Sequence, residues 1–222
     1  MGDVETMIEI KDKRKLMKYI TAFAMGDAGV YRSGKHHRMV SNSICKEYVE
    51  WKASILENLT KVNIHTAKER RTDYNRKPLY VLTTRTHPTY DKIRERLYTG
   101  SYKGIDPHYL KHLDFEVLAI LFMDDGSCYT DKRCDATPRV SINCKRLSYG
   151  DQLLLKQAIK SVLGLEFNVN RHGKYWYLSL RTKDYTTFCT GVSPYILECF
   201  KYKLHTPSLT KSNVEPSKEV MR

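Results

Sequence analysis

Two apolar segments that each run into an aspartate constrain this chain more than anything else in it: "ITAFAMGDAG" at 20–29 and "LAILFMDDGS" at 118–127. Aligned, they place Asp27 on Asp125, 98 positions apart. The pattern downstream of each acid repeats as well. A polar stretch holds a short strand-like run, "RMVSN" (38–42) and "RVSIN" (139–143), so that a first strand pair covers roughly 30–42 and 128–143. An amphipathic helix comes next, "CKEYVEWKASILENL" (45–59) and "YGDQLLLKQAIKSVLG" (149–164), with apolar residues at three- and four-residue spacing. Two alternating segments then suit a hairpin, 62–70 with 79–86 and 166–171 with 175–182. Each half enters a further helical segment and finishes on a lysine beside an aromatic residue, Lys103 in "SYKGIDP" and Lys203 in "KYKLHTP".

The order helix, two strands, helix, two strands, helix therefore occurs twice. It predicts an α+β fold of two pseudo-symmetric αββαββα halves, 1–103 and 115–210. Between them a linker covers 104–114, where Asp106-Pro107 is expected to break any helix, and a polar tail covers 211–222.

Acidic groups sit badly at a helix C-terminus, where the macrodipole is negative. Two such helices packed about a pseudo-twofold axis would bring Asp27 and Asp125 together, and two close carboxylates repel unless a cation neutralises them. A hard divalent metal such as magnesium suits that place, with the Gly26 and Asp124 carbonyls as further oxygen ligands. Metals so placed activate water and stabilise the attacking and leaving oxygens of a phosphoryl displacement. A lysine on each side, Lys103 or Lys203, would orient water or stabilise developing charge. Two copies would cut two strands, which points to a double-strand DNA nuclease.

Charge agrees with a polyanionic partner. Thirty-eight Lys and Arg against 25 Asp and Glu leave a formal charge of +13, and 16 tyrosines lie among the basic residues. A basic surface that is merely solvated is the bland alternative. The basic residues are spread along the chain and no apolar run approaches the roughly 20 residues of a membrane span, so no membrane partner is expected. None of the six cysteines forms a C-x-x-C pair, which argues against structural zinc. With an N-terminus that mixes acids and bases, they read as reduced thiols of an intracellular protein. The His108/His112 pair lacks a third ligand nearby and reads as surface or core.

"LAILFMDDG" resembles the motif of the LAGLIDADG homing endonucleases, and "ITAFAMGDA" resembles a more diverged first copy. The likeness runs over roughly 10–210, in the order of single-chain, two-motif members. It implies motif helices at a central interface under a saddle of antiparallel sheets. It also implies a long duplex site read by strand residues in the major groove. Cleavage would cross the minor groove with a short 3′ overhang, use magnesium or manganese, and promote mobility of a host intron or gene. Carried over residue by residue, the metal-binding acids are Asp27 and Asp125, and Lys103 and Lys203 resemble the active-site lysines. Motif one has Gly26 where motif two has Asp124, so only the second acid is symmetric, and Asp124 reads as a carbonyl ligand or helix-end residue. Ala22 and Ile120 occupy matching positions and are expected to complement each other across the interface.

The DNA surface implied by the resemblance comes from exposed strand positions. In the first half these are Tyr31, Arg32, Lys35, Arg38, Asn42, Lys68, Arg70, Arg71 and Arg76. In the second they are Tyr129, Lys132, Arg133, Arg139, Asn143, Asn170, Arg171, Lys174 and Arg181. Arg and Lys pair with guanine and Asn with adenine, although at least half of such contacts reach only phosphate or sugar. Two other readings stay open: a maturase that binds the host intron RNA, and a DNA-binding module without catalysis. Retention of both acids and both lysines favours the nuclease. Two halves in one chain argue for a monomer, in a bacterial or phage-infected cytoplasm or an organelle matrix such as the mitochondrion's.

Overall fold

The computed structural model describes residues 8–67, 77–130, 137–144 and 146–204. Helix α1 (Lys13–Met25) begins at Asp12, whose carboxylate accepts from the Arg14 amide at 2.8 Å. In the second half, α5 (Phe115–Asp125) begins at Asp114, which accepts from the Val117 amide at 2.9 Å. Such caps satisfy amides that helix geometry leaves open. From Ile20 to Met25 and from Val117 to Met123 every residue is buried. Helix stretches with no polar face belong inside a molecule, and these two pack on each other at its centre. Ala22 and Ile120 are both sealed there.

The first half continues as β1 (Gly29–Ser33), β2 (His36–Ser43), α2 (Lys46–Leu56), β3 (Val62–Thr66), β4 (Tyr80–Thr84), α3 (Pro88–Leu97), and the short pair β5 (Tyr98–Thr99) and β6 (Tyr102–Lys103). After α4 (Pro107–Leu110), the second half runs from α5 into β7 (Gly126–Tyr129), β8 (Arg139–Ile142), α6 (Tyr149–Leu163), β9 (Phe167–His172), β10 (Tyr175–Leu180) and α7 (Tyr185–Val192), and closes on a 3-10 helix, Glu198–Lys203. The fold is α+β. One antiparallel sheet has the order β1-β2-β4-β3 and the other β7-β8-β10-β9, the same order in each half. Register repeats as well: the strand after each motif helix starts opposite an apolar residue, Gly29 on Val40 and Gly126 on Ile142. Alternation then turns Met39 and Ser41 inward while Arg38 and Asn42 face out. Gly34 (φ 66°) and Gly173 (φ 59°) supply the left-handed turn residues that let β1–β2 and β9–β10 reverse tightly.

Two expectations need correction. Asp106-Pro107 opens a helix instead of only ending one: the Asp106 carboxylate accepts from the His108 amide at 2.6 Å, and Pro107 stands where a helix needs no amide donor. The cysteines are not all reduced thiols, because Cys45 and Cys199 are joined by a disulfide, while Cys144 and Cys189 are not disulfide-bonded. These partners are 154 positions apart, and spacing cannot reveal a pairing made only when the halves pack. Lys68, Arg70, Arg71, Arg76, Lys132, Arg133 and the tail at 211–222 lie outside the described residues. Among the described residues no helix is long and apolar enough to cross a membrane.

Candidate active site

The C-terminal ends of α1 and α5 deliver Asp27 and Asp125 to one cleft of about 290 Å³, whose walls include Asn42, Lys103, Cys144 and Arg146. Burial pushes the Asp27 carboxyl above the usual range, and the neighbouring Asp124 charge adds to it. Burial, then Asp27, then Asp124 raise Asp125 further, to about 7. Among the described residues neither acid forms a salt bridge, so no direct counter-ion offsets their charge. Two carboxylates held in this way are the donor set a hard divalent cation prefers, and the residues present fit such an ion.

Without metal, this burial, with the neighbouring charges, makes stability depend on pH. An unfolded aspartate ionises near 3.9, whereas folded Asp125 keeps its proton to about 7. Between those values the folded state binds more protons, so stability falls as pH rises. Denaturant titrations in chelator from pH 4 to pH 7.5 should show that decline, and Asp125→Asn should flatten it. An unchanged slope in the variant would contradict the assignment.

Each half also supplies one lysine to the end of its own motif helix, buried Lys103 in the first and half-buried Lys203 in the second. Lys103 Nζ donates to the carbonyls of Ala24 (3.1 Å), Ala28 (3.2 Å) and Gly26. Lys203 Nζ donates to those of Phe122 (3.3 Å) and Met123 (2.7 Å). A cation at a helix C-terminus complements its dipole. Burial holds both ammonium groups below the usual lysine range, against the pull of Asp124 and Asp125 on Lys103 and of Asp124, Asp27 and Asp125 on Lys203. Each lysine thus lies within electrostatic reach of the acid from the opposite half. The Gly26 carbonyl, expected as a metal ligand, is already accepting from Lys103.

Asp124 does something the sequence did not reveal. Its side chain is 1% exposed and points across the interface, where it accepts from Lys52 Nζ at 2.8 Å, Tyr48 Oη at 2.7 Å and the Asp27 amide at 3.0 Å. The Lys52 ammonium also lies over the Tyr48 ring, 4.2 Å from its centroid. The carboxylate therefore fixes the backbone of the other half's acid. It also explains why motif one carries glycine: a Cβ at position 26 would stand 2.0 Å from Asp124 Oδ2. Since Lys52 and Tyr48 hold that oxygen's carboxylate in place, Gly26→Ala should cost about 1–3 kcal/mol, measurable by urea unfolding. A neutral effect would mean the carboxylate moves freely.

Sequence reasoning missed Lys52, Tyr48, Cys144 and Arg146. The signal for Lys52 was available, because it falls on the apolar stripe of α2 between Tyr48, Val49, Ala53 and Leu56. The buried Cys144 thiol bonds the Asp125 carboxylate. It directly follows Asn143, whose amide donates to the Asp125 carbonyl at 2.8 Å.

The described residues singled out for DNA differ in exposure. Tyr31, Arg32, Lys35, Arg38, Asn42, Tyr129, Arg139, Arg171 and Lys174 are exposed. Arg38 lines a groove of about 480 Å³ with Lys61, Asn63, His65, Thr83 and Arg85, of which only Arg38 was anticipated. Asn143 and Asn170 are half-buried and bond serines of their own sheet, Asn143 to Ser127 and Ser141, Asn170 to Ser179 at 2.7 Å. The Arg181 guanidinium pairs with Glu166 at 2.9 Å, which Lys160 and Lys183 also approach.

Paired apolar helices running into acids, with two matched four-stranded sheets, define an α+β protein of two similar halves whose motif acids line one cleft. The sequence matches the model of the LAGLIDADG DNA endonuclease family over residues 20–188, and the chain belongs to that family. A Methanocaldococcus jannaschii protein, MJ1098, is 26% identical over 85% of this chain and 73% of its own length. The RecA protein of Mycolicibacterium flavescens is 25% identical over 83% of this chain, which spans only 44% of that relative. Among solved structures, the homing endonuclease I-WcaI bound to its DNA recognition sequence superposes with a TM-score of 0.78, covering 93% of this chain and 96% of that one at 18% identity. I-DmoI in complex with its target DNA in the presence of manganese gives a TM-score of 0.52, covering 80% of this chain and 93% of that one at 16% identity. These structural likenesses concern the fold.

Proposed function

We propose that this protein is a site-specific homing endonuclease that makes a metal-dependent double-strand break, with staggered 3′ overhangs, in a long duplex target. The observation that carries the reading is the meeting of Asp27 and Asp125 in one cleft, each unrelieved by a direct ion pair, with buried Lys103 and half-buried Lys203 within electrostatic reach. Binding a polyanion needs no such pair, and two repelling carboxylates on the axis of a basic protein would by themselves weaken it. Asp27 and Asp125 would hold magnesium or manganese. A bound divalent ion there supplies an activated water and charge neutralisation at the phosphate. Lys103 and Lys203 hold positive charge beside the acids and stabilise the developing negative charge of each strand's reaction. Arg146, exposed at the cleft, is placed to meet a phosphate. The outer sheet faces, with Arg38, Asn63 and His65 in one half and Tyr129, Arg139 and Arg171 in the other, would read the duplex.

The test is selection from a randomised duplex library of molecules cut by the full chain in magnesium. One long site with a staggered cut supports the proposal. A folded preparation that binds duplex but cuts none refutes it and leaves a binding module. Preference for intron RNA over duplex would instead mark a maturase.

A further inference from the structure

Cys45 and Cys199 belong to different halves, yet their Cα atoms lie 6.7 Å apart and their sulfurs are bonded. Cys45 directly precedes α2, and Cys199 sits in the closing 3-10 helix that ends on Lys203. Among the described residues that segment also meets the first half through a buried aromatic. Phe200 stands edge-on to Tyr48 with ring centroids 4.9 Å apart, while Lys201 and Tyr202 are exposed. A short 3-10 helix has poor internal hydrogen bonding, so its position depends on what it is tied to.

We propose that Cys45 and Cys199 form a reversible thiol–disulfide clasp that pins the Lys203 segment to the first half and so sets how well Lys203 is placed beside Asp27 and Asp125. The two cysteines act as positioning residues. What Lys203 does once placed rests on the function proposed above. Closure with a small-molecule disulfide such as oxidised glutathione proceeds by two exchanges. One cysteine thiolate attacks a glutathione sulfur and expels a glutathione thiolate. The other cysteine thiolate then attacks the protein sulfur of the mixed disulfide and expels the second. Two protein thiols are oxidised, one glutathione disulfide is reduced to two thiols, and the two thiol protons end on the expelled glutathiones. The Glu47 carboxylate and both sulfurs lie within 4.8 Å of one another, so a thiophilic cation is the competing occupant of the opened pair.

The test equilibrates the full chain in glutathione buffers from reducing to oxidising and quenches with alkylating reagent. Mass spectrometry should find a Cys45–Cys199 linked peptide under oxidising conditions and two alkylated cysteines under reducing ones. Hydrogen exchange at 198–204 should slow about tenfold on oxidation, and not at all in Cys45→Ser. Single-turnover cleavage of a selected duplex should be about three- to tenfold faster in the oxidised protein at equal duplex affinity, with no redox dependence in Lys203→Met. Two free thiols in oxidising buffer, unchanged exchange, equal cleavage rates in the two states, or zinc retained by the reduced protein and lost in Cys45→Ser would each overturn the clasp. If neither redox state cuts any duplex, the nuclease reading fails alone, and linkage and exchange still decide the clasp.

Discussion

Asp27→Asn and Asp125→Asn are each expected to lower double-strand cleavage by about 10³-fold or more while leaving duplex affinity within about threefold. Asparagine keeps the shape of aspartate, so the packing of α1 on α5 is undisturbed. It removes the negative charge that would hold a divalent ion, and with it the activated water. It also removes a buried charge, since burial and then Asp124 oppose ionisation of Asp27, and burial, then Asp27 and Asp124, oppose that of Asp125. Both variants should therefore be at least as stable as the parent at neutral pH, which separates lost chemistry from lost folding. Cleavage assays with both strands end-labelled, paired with filter-binding titrations, decide the matter. Full activity in either variant would refute the assigned chemistry, and loss of binding would make the acids structural.

The second large effect concerns stability. Lys52→Met should destabilise the protein by about 3–5 kcal/mol, because it leaves the Asp124 carboxylate buried without its counter-ion. Both side chains are 1% exposed, so solvent cannot replace the lost partner. Lys52→Met combined with Asp124→Asn should recover much of that loss. With its oxygen in the place of Oδ2 the asparagine still accepts from the Asp27 amide, its amino group in the place of Oδ1 donates to the Tyr48 hydroxyl, and no buried charge remains. A double-mutant cycle by urea unfolding reads the coupling directly. A loss below about 0.5 kcal/mol in Lys52→Met would show that the carboxylate is neutral or hydrated in the folded protein.

What the sequence revealed, it revealed through repetition. Apolar helices that run into acids, strands in the same order, and lysines closing each half could all be read by laying one half on the other. The juxtaposition of Asp27 and Asp125 was legible for the same reason, because a pseudo-twofold axis through two apolar helices leaves their ends one place to meet. The asymmetric parts were not legible. Asp124 looked like a helix-end residue because its partner Lys52 is 72 positions away and lies in the other half. Gly26 looked like a degenerate motif, when it is the space the Asp124 carboxylate occupies. The Cys45–Cys199 bond is likewise a contact between halves, which no local pattern encodes. On the sheets, Lys61, Asn63, His65 and Arg85 escaped notice because β3 alternates weakly, with no fully buried position to set its phase.

Whether the two motif acids share a metal site is the question on which everything else about the chemistry turns. The most direct measurement is anomalous diffraction from manganese in crystals of the full chain bound to an uncleavable duplex carrying its selected site. Anomalous density is expected against the carboxylates of Asp27 and Asp125, beside the phosphates of both strands. Density at other residues, or none at these acids in a crystal whose duplex is fully ordered, would contradict a shared site.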